Sequence, residues 1–526
     1  MNPTKLHIKN GTVVDGSGEK GFSADVLVVG DRIETVGKIE AAPDAIQIDA
    51  SGCVVAPGFI DIHSHSDLMI LADPFPLAKT QQGVTTEIVG GCGFSLAPLT
   101  ERTIPELKNS GVLGETDLDW GWRSYSDLVS RMEKTPFAHN IGALIGHNTI
   151  RMAVLGMGNI VVSDAAMGRM KDHVREGMEA GAFGMSVGLI YTPGLYAGVD
   201  ELAELCKVVA EYGGLFAIHM RNEGVRLLDA INESIEITER SGAPLHIVHL
   251  KVTGEENYPL IEKALERIYE ARDKGLGVTF DQYPYTAGST GLSALLPSWA
   301  REGGLENMLK RLQDGNIRSR IASDMARGGE NMLRYTWDKV LLSSVASEAN
   351  KGLEGKTIEQ IAHIRGCPPP DAVFDILVEE EGRAGMVVFS MSEESIRLIM
   401  KVPFGMVGTD GIHGGRCHPR LYGTFPRILG RYVRQERVLP IELAIQKMTA
   451  NPADRLGLTD RGRIEPGKRA DIVIFNPATV IDRATYEDSA QYPAGITHVI
   501  VGGRIVIENG RATGEAPGRV LKWRRS

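Results

Sequence analysis

Eight short apolar runs, each ending in polar residues, punctuate the middle of the chain: GFIDIHSHSD, GVTTEIVGGCG, NIGALIGHNTI, AFGMSVGLIYTP, GLFAIHMRNEG, APLHIVHLKVTG, GVTFDQYPYTAG and GMVGTDG. Helical patterns such as VDELAELCKVVAEYG and NYPLIEKALERIYEARDKG lie between several of them. Strand–helix alternation builds a parallel sheet. Eight repeats predict a (β/α)8, TIM-like barrel over residues 57–461, an α/β fold whose chemistry sits at the C-terminal strand ends; a doubly wound open sheet is the alternative. Residues 291–400 separate the seventh and eighth runs by too much chain for a loop, so they are expected to form a helical insertion over the barrel mouth. Residues 1–56 and 462–526 read as short strands with glycine turns, and the two ends are expected to pair into one small β domain.

The 526-residue chain is long enough for more than one domain, and its net charge of −10 argues against a nucleic-acid partner. No run approaches the roughly 18–20 apolar residues of a membrane span, and the N-terminus lacks the apolar stretch of a secretory signal. Five scattered cysteines do not form a disulfide framework. They fit a reducing, cytoplasmic location, where a cysteine beside histidines reads as metal-binding or catalytic.

Alternation along each strand assigns faces. In GFIDIHSHSD, Ile60 and Ile62 share one face and are placed outward, under the helices, so His63 and His65 point into the mouth. Phe216, Ile218 and Met220 place His219 inward. In PLHIVHLK the polar pair His249 and Lys251 marks the inward face, leaving His246 outward. Cys92 ends the second run and Asp410 the last. A lone strand histidine is usually a satisfied core or surface group, and a lone cysteine a small buried hydrophobe. Six such groups, His63, His65, Cys92, His219, His249 and Asp410, arriving at one end of one barrel are a metal site. Imidazole, thiolate and carboxylate together suit zinc, and three protein ligands leave a position for water whose pKa the ion lowers to about 7. Asp410, alone on the last strand beside HSH on the first, is the candidate proton carrier; its plainer reading is a third ligand beside His63 and His65.

These residues resemble the amidohydrolase superfamily, and more closely the D-aminoacylases, or N-acyl-D-amino-acid deacylases. PGFIDIHSHSD carries the superfamily resemblance; GGCGFS, DQYPYTAGST and GTDG followed by HPRLYGTFPRILG carry the deacylase one, and the C-terminal NPADRLGL with GRIEPGKRADIVIF falls within the stretch it covers. The resemblance spans nearly the whole chain. It implies a tight zinc on Cys92, His219 and His249. A second, weaker position would lie at His63, His65 and Asp410, with Cys92 able to bridge. Many superfamily relatives bridge two metals with a fourth-strand lysine, which AFGMSVGLIYTP lacks, weighing against hydantoinase- and dihydropyrimidinase-type cyclic-amide hydrolysis. It also implies that Lys251, Tyr283 and Arg420 hold the substrate α-carboxylate, with Tyr191 and Ser289 assisting; without the resemblance, Lys251 and Arg420 read as structural ion pairs. The implied activity is hydrolysis of N-acyl-D-amino acids, with dipeptides carrying a C-terminal D-residue as the alternative substrate. GSTGLSALLPSW has no basic residue before Arg301, which favours neutral or apolar D-amino acids. Oligomeric state is not legible.

Overall fold

The computed structural model describes residues 4–40, 42–73, 75–110, 118–328 and 335–523. Strands Phe59–Asp61, Val84–Val89 and Asn140–Ala143 form one parallel sheet. Ile145–Gly146, Gly184–Gly188, Leu215–His219, Leu245–Ile247, Val278–Gln282 and Gly405–Val407 form a second, also parallel. Segment 140–146 belongs to both sheets, because Leu144 alone separates its two strands. At the opposite edges a parallel bridge pairs Ser64 with Gly411.

The connecting helices have ordinary local causes. Asp164–Ala180 begins where the Ser163 side chain accepts the Ala166 N–H, and it ends on the left-handed Gly181. Leu227–Ser241 ends on Gly242 in the same way. Their apolar faces cover Met185, Val187, Phe216, Ile218, Leu245, Ile247, Val278 and Phe280, the outer side chains of the sheet. A smaller cluster on the other face joins Ile60, Ile62, Ile88, Leu144, Ala217, Val248 and Met406.

That division corrects two side-chain directions. Ile60 and Ile62 lie on the inner face, whereas Phe59 points out and stacks on Phe425 at 5.4 Å. His246 also points in, beside Val248, while Leu245 and Ile247 face the helices. Both strands are only three residues long, Phe59–Asp61 and Leu245–Ile247, so alternation stops before the histidines at 63, 65 and 249 and cannot aim them.

Both ends of the chain meet in one nine-stranded sheet. Val54–Pro57 pairs antiparallel with Ile472–Phe475, and parallel with Lys5–Val13. The last described residues leave that sheet: Gly518 and Val520 bridge to Phe137 and Ile141, and the Trp523 indole donates to the Tyr212 carbonyl at 2.8 Å. The described part of 291–400, expected as a helical insertion, carries strands as well as helices. Ala287–Gly291, Val340–Val345 and Ala384–Phe389 form an antiparallel sheet, with helices packed against it in a separate apolar cluster. No helix among the described residues is long and apolar enough to cross a membrane.

Lys447, on the helix Ile441–Met448, is buried and donates to the Val402 carbonyl. Burial pulls its pKa from 10.5 down to about 7. Above pH 7 the unfolded chain still binds that proton and the folded chain does not, so this group's destabilisation shrinks as pH rises. Chemical unfolding should therefore find Lys447→Met more stable than wild type below pH 7, with the gap closing by up to about 1.4 kcal/mol per pH unit above it. A gap that does not change with pH would contradict this.

Candidate metal centre

Three of the seven non-glycine residues with left-handed backbone among those described are Cys92 (φ 51°), His249 (φ 38°) and Asp410 (φ 49°). Each lies just past the end of a parallel strand, where a left-handed turn swings the side chain over the strand ends. Such conformations are costly for residues with a Cβ and persist where the surroundings impose them. Gly91 beside Cys92 is needed for closeness, since a Cβ there would come within 2.9 Å of the His63 ring.

The result is two buried donor groups. Cys92, His219 and His249 offer ligand atoms within 4.8 Å of one another, and so do His63, His65, Cys92 and Asp410. In the first, His249 Nε2 lies 3.6 Å from Cys92 Sγ and 2.8 Å from His219 Nδ1. In the second, Cys92 Sγ lies 3.3 Å from His63 Nε2, and Asp410 Oδ1 lies 3.5 and 3.1 Å from the Nε2 atoms of His63 and His65. A tetrahedral divalent ion with bonds of about 2.0–2.3 Å has ligands about 3.3–3.8 Å apart. The donors fit such an ion in type; the Cys92–His63, Cys92–His249 and His63–Asp410 separations fall in that range, while His249–His219 at 2.8 Å and His65–Asp410 at 3.1 Å are closer than bound ligands would be, and the Cys92 sulfur is common to both groups.

The electrostatics agree. Burial alone would raise the Cys92 thiol, but His63 and His219 hold it well below its usual value. Burial alone would lower His63, yet the carboxylates of Asp281 and Asp410 raise it well above the imidazole range. His65 is lifted to about 9 against burial by Asp410 and Cys92. Asp410 is held well below the carboxylate range, against burial, by Arg420 and His63. Anionic neighbours thus hold protons on His63 and His65, whereas burial and His249 lower His219; a cation would displace the held protons.

Two carboxylates escaped the sequence reading. Asp281 Oδ1 accepts the His249 N–H at 2.9 Å and lies 3.3 Å from His63 Nδ1, while Oδ2 lies 3.0 Å from His246 Nε2. Glu223 lies 3.1 Å from His249 Nδ1 and 2.6 Å from Lys251 Nζ. Carboxylates behind imidazole ligands fix ring orientation. The signal for Asp281 was parity: Val278 and Phe280 face out, so a charged residue on the other face of VTFDQ must point in.

Beside the donors lies a cavity of about 50 Å³, lined by Tyr191, Lys251, Tyr283, Ser289 and Arg420 together with Asp410 and His219. All five residues expected to meet substrate are therefore in one place. Lys251 and Arg420 are nonetheless paired, Lys251 with Glu223 and Arg420 with Asp410 Oδ2 at 2.7 Å. Arg420 also donates to the Ser289 carbonyl at 3.0 Å and stacks 4.6 Å over the Tyr283 ring. The Tyr283 hydroxyl is buried without a hydrogen-bond partner. The Tyr191 hydroxyl meets Thr290 Oγ1 at 3.0 Å. His418 stays out of the donor groups, binding the Ala287 carbonyl and the Arg420 N–H.

A family model described as the amidohydrolase family matches residues 47–507. The chain belongs to the amidohydrolase family, in its D-aminoacylase branch. It is 35% identical to the D-aminoacylase of Alcaligenes xylosoxydans xylosoxydans over 99% of this chain and 98% of that one. The N-acyl-D-glutamate deacylase of Bordetella bronchiseptica, solved with zinc and a phosphonate mimic of the tetrahedral intermediate, superposes with a TM-score of 0.85. That match is 33% identical and covers 99% of this chain and 100% of the other. A D-aminoacylase structure concerned with its binuclear metal centre gives the same TM-score at 34% identity, covering 98% and 99%.

Burial raises the pKa of the thiols at Cys53, Cys206, Cys367 and Cys417. Only Cys92 among the five cysteines should then be a thiolate at neutral pH in metal-free protein. Ultraviolet thiolate absorbance should correspond to one group per chain and vanish in Cys92→Ala; full absorbance in that variant would contradict the assignment.

Proposed function

We propose that this chain hydrolyses the amide bond of N-acyl-D-amino acids, releasing a D-amino acid and a carboxylic acid. The observation that carries this is the Cys92 sulfur shared by two donor groups, whose His219, His249 and Asp410 line a cavity together with Lys251, Tyr283 and Arg420. The relatives at 33–35% identity, named for D-aminoacylase and for N-acyl-D-glutamate and N-acyl-D-aspartate deacylation, supply the substrate class.

The two parallel sheets are read as one closed (β/α)8 barrel, supported by the shared segment 140–146 and the Ser64–Gly411 bridge. Residues 1–56 and 462–526 form the small β domain, and 291–400 the insertion over the mouth. Cys92, His219 and His249 would hold a tight zinc, and His63, His65 and Asp410 a weaker one, with the Cys92 sulfur available to both. Zinc when bound supplies Lewis acidity, polarising an amide carbonyl and acidifying water at neutral pH.

Asp410 is the proton carrier. Its Oδ1 faces His63 and His65 while Arg420 holds Oδ2, so it is ionised and fixed in direction. It accepts the water proton and delivers it to the leaving nitrogen. The substrate carboxylate lies among Lys251, Tyr283 and Arg420, with Tyr191 and Ser289 beside it. By sharing the Arg420 guanidinium, that carboxylate relieves Asp410 of its strongest positive neighbour and raises its proton affinity when substrate is in place. Neutral or apolar D-amino acids are the expected side-chain class. Five free cysteines fit a cytoplasmic setting.

The test is a panel of N-acetyl-D-amino acids and their L-enantiomers, assayed with the zinc-loaded protein. Amine release from D-forms only is expected, and no release from any member would sink the proposal. Asp410→Ala should lose at least about 100-fold in kcat while keeping one zinc per chain. Cys92→Ala should lose the tight zinc and activity together. Equal zinc loss in both variants would make Asp410 chiefly a ligand.

A further inference from the structure

Outside the donor groups, a densely charged buried cluster lies on the outer face of the first two strands. Lys79, on the single-turn helix Leu77–Thr80, is fully buried. Its Nζ lies 2.7 Å from Asp61 Oδ2, 2.9 Å from Ser64 Oγ, 2.6 Å from Thr409 Oγ1 and 3.1 Å from Glu87 Oε1. Glu87 Oε2 is in turn 2.8 Å from His139 Nε2. The Thr409 hydroxyl accepts from Lys79 and donates to Asp61 Oδ2 at 2.7 Å, and the Thr409 N–H donates to Asp61 Oδ1 at 2.8 Å. Ser64 accepts from Lys79 and donates to Glu87.

The placement of these partners is specific. Asp61 is two residues before His63, Ser64 lies between His63 and His65, and Thr409 immediately precedes Asp410. Residues 62–66 and 408–411 lie outside any helix or strand; their backbones meet at the Ser64–Gly411 bridge and at the Asp410 N–H, which donates to the His63 carbonyl at 2.8 Å. Irregular backbone with so few ladder bonds does not fix three side chains to a few tenths of an ångström. A buried ion network is a poor way to gain stability, because apolar side chains of similar volume commonly do as well. It is a good way to fix relative position, since each hydrogen bond has one partner and one direction.

We propose that Lys79 is a positioning residue that locks the His63/His65 segment to the Asp410 segment and so sets the geometry of the second metal position. This rests on the reading of His63, His65, Cys92 and Asp410 as that position. Thr409 is the coupling through which Lys79 reaches Asp410, and Asp61 and Ser64 are the couplings through which it reaches the two histidines. None of the Lys79 bonds reaches Cys92, His219 or His249 directly.

The test is competitive zinc titration of metal-free protein against a chromophoric chelator, comparing wild type with Lys79→Met, Thr409→Val and Thr409→Ser. Thr409→Val keeps the Lys79–Asp61 and Lys79–Glu87 ion pairs, so it gives a readout if Lys79→Met fails to fold. Lys79→Met and Thr409→Val should weaken the second equivalent by about 10–100-fold and leave the first within about twofold. Thr409→Ser, which retains the hydroxyl, should bind both as wild type does. A general structural defect would weaken both equivalents together and overturn the proposal. So would a folded Thr409→Val whose second equivalent matches wild type. Wild-type protein that takes up only one equivalent would overturn the reading of the four-residue group, and the positioning role with it.

Discussion

One sulfur atom organises this molecule. Cys92 Sγ stands 3.3 Å from His63 Nε2 and 3.6 Å from His249 Nε2, so residues from opposite sides of the strand ends converge on it. The left-handed backbone at Cys92 and the glycines around it bring the sulfur there. A thiolate in that position is a buried negative charge, which is sustainable only among positive partners or a bound cation. The surrounding imidazoles and their carboxylates answer that demand.

The carboxylates divide the labour. Asp281 and Glu223 sit behind the imidazoles of His63, His246 and His249 and orient them. Asp410 sits in front, facing two histidines with one oxygen and Arg420 with the other. Arg420 therefore touches both Asp410 and the cavity, and Tyr283 lies between it and Lys251. Under the proposed function, that single guanidinium would link substrate recognition to proton transfer.

The sequence revealed the parallel strands and the six donor residues because both depend on local pattern: an apolar run, then a polar group at its end. It misassigned what depends on where a strand stops. His246 was read as outward because alternation was carried to His249 across a strand that ends at Ile247, followed by a left-handed turn. Lys79 was invisible because a lysine on a short helix reads as a solvated group, and only tertiary contact surrounds it with Asp61, Glu87, Ser64 and Thr409. The antiparallel sheet within 287–389 was missed because its paired strands lie about 40 and about 90 residues apart, and such pairing leaves no local mark. Glu223 was missed because it follows its strand in a loop, where a glutamate has no periodicity to betray it.

The first equivalent of zinc is expected to take a thiolate and two imidazoles as its protein ligands. X-ray absorption at the zinc edge, on protein carrying one equivalent, measures this directly. The account predicts one sulfur at about 2.3 Å with nitrogen or oxygen neighbours at about 2.0–2.1 Å, and loss of the sulfur in Cys92→Ser. A wild-type spectrum with nitrogen and oxygen neighbours only would contradict it.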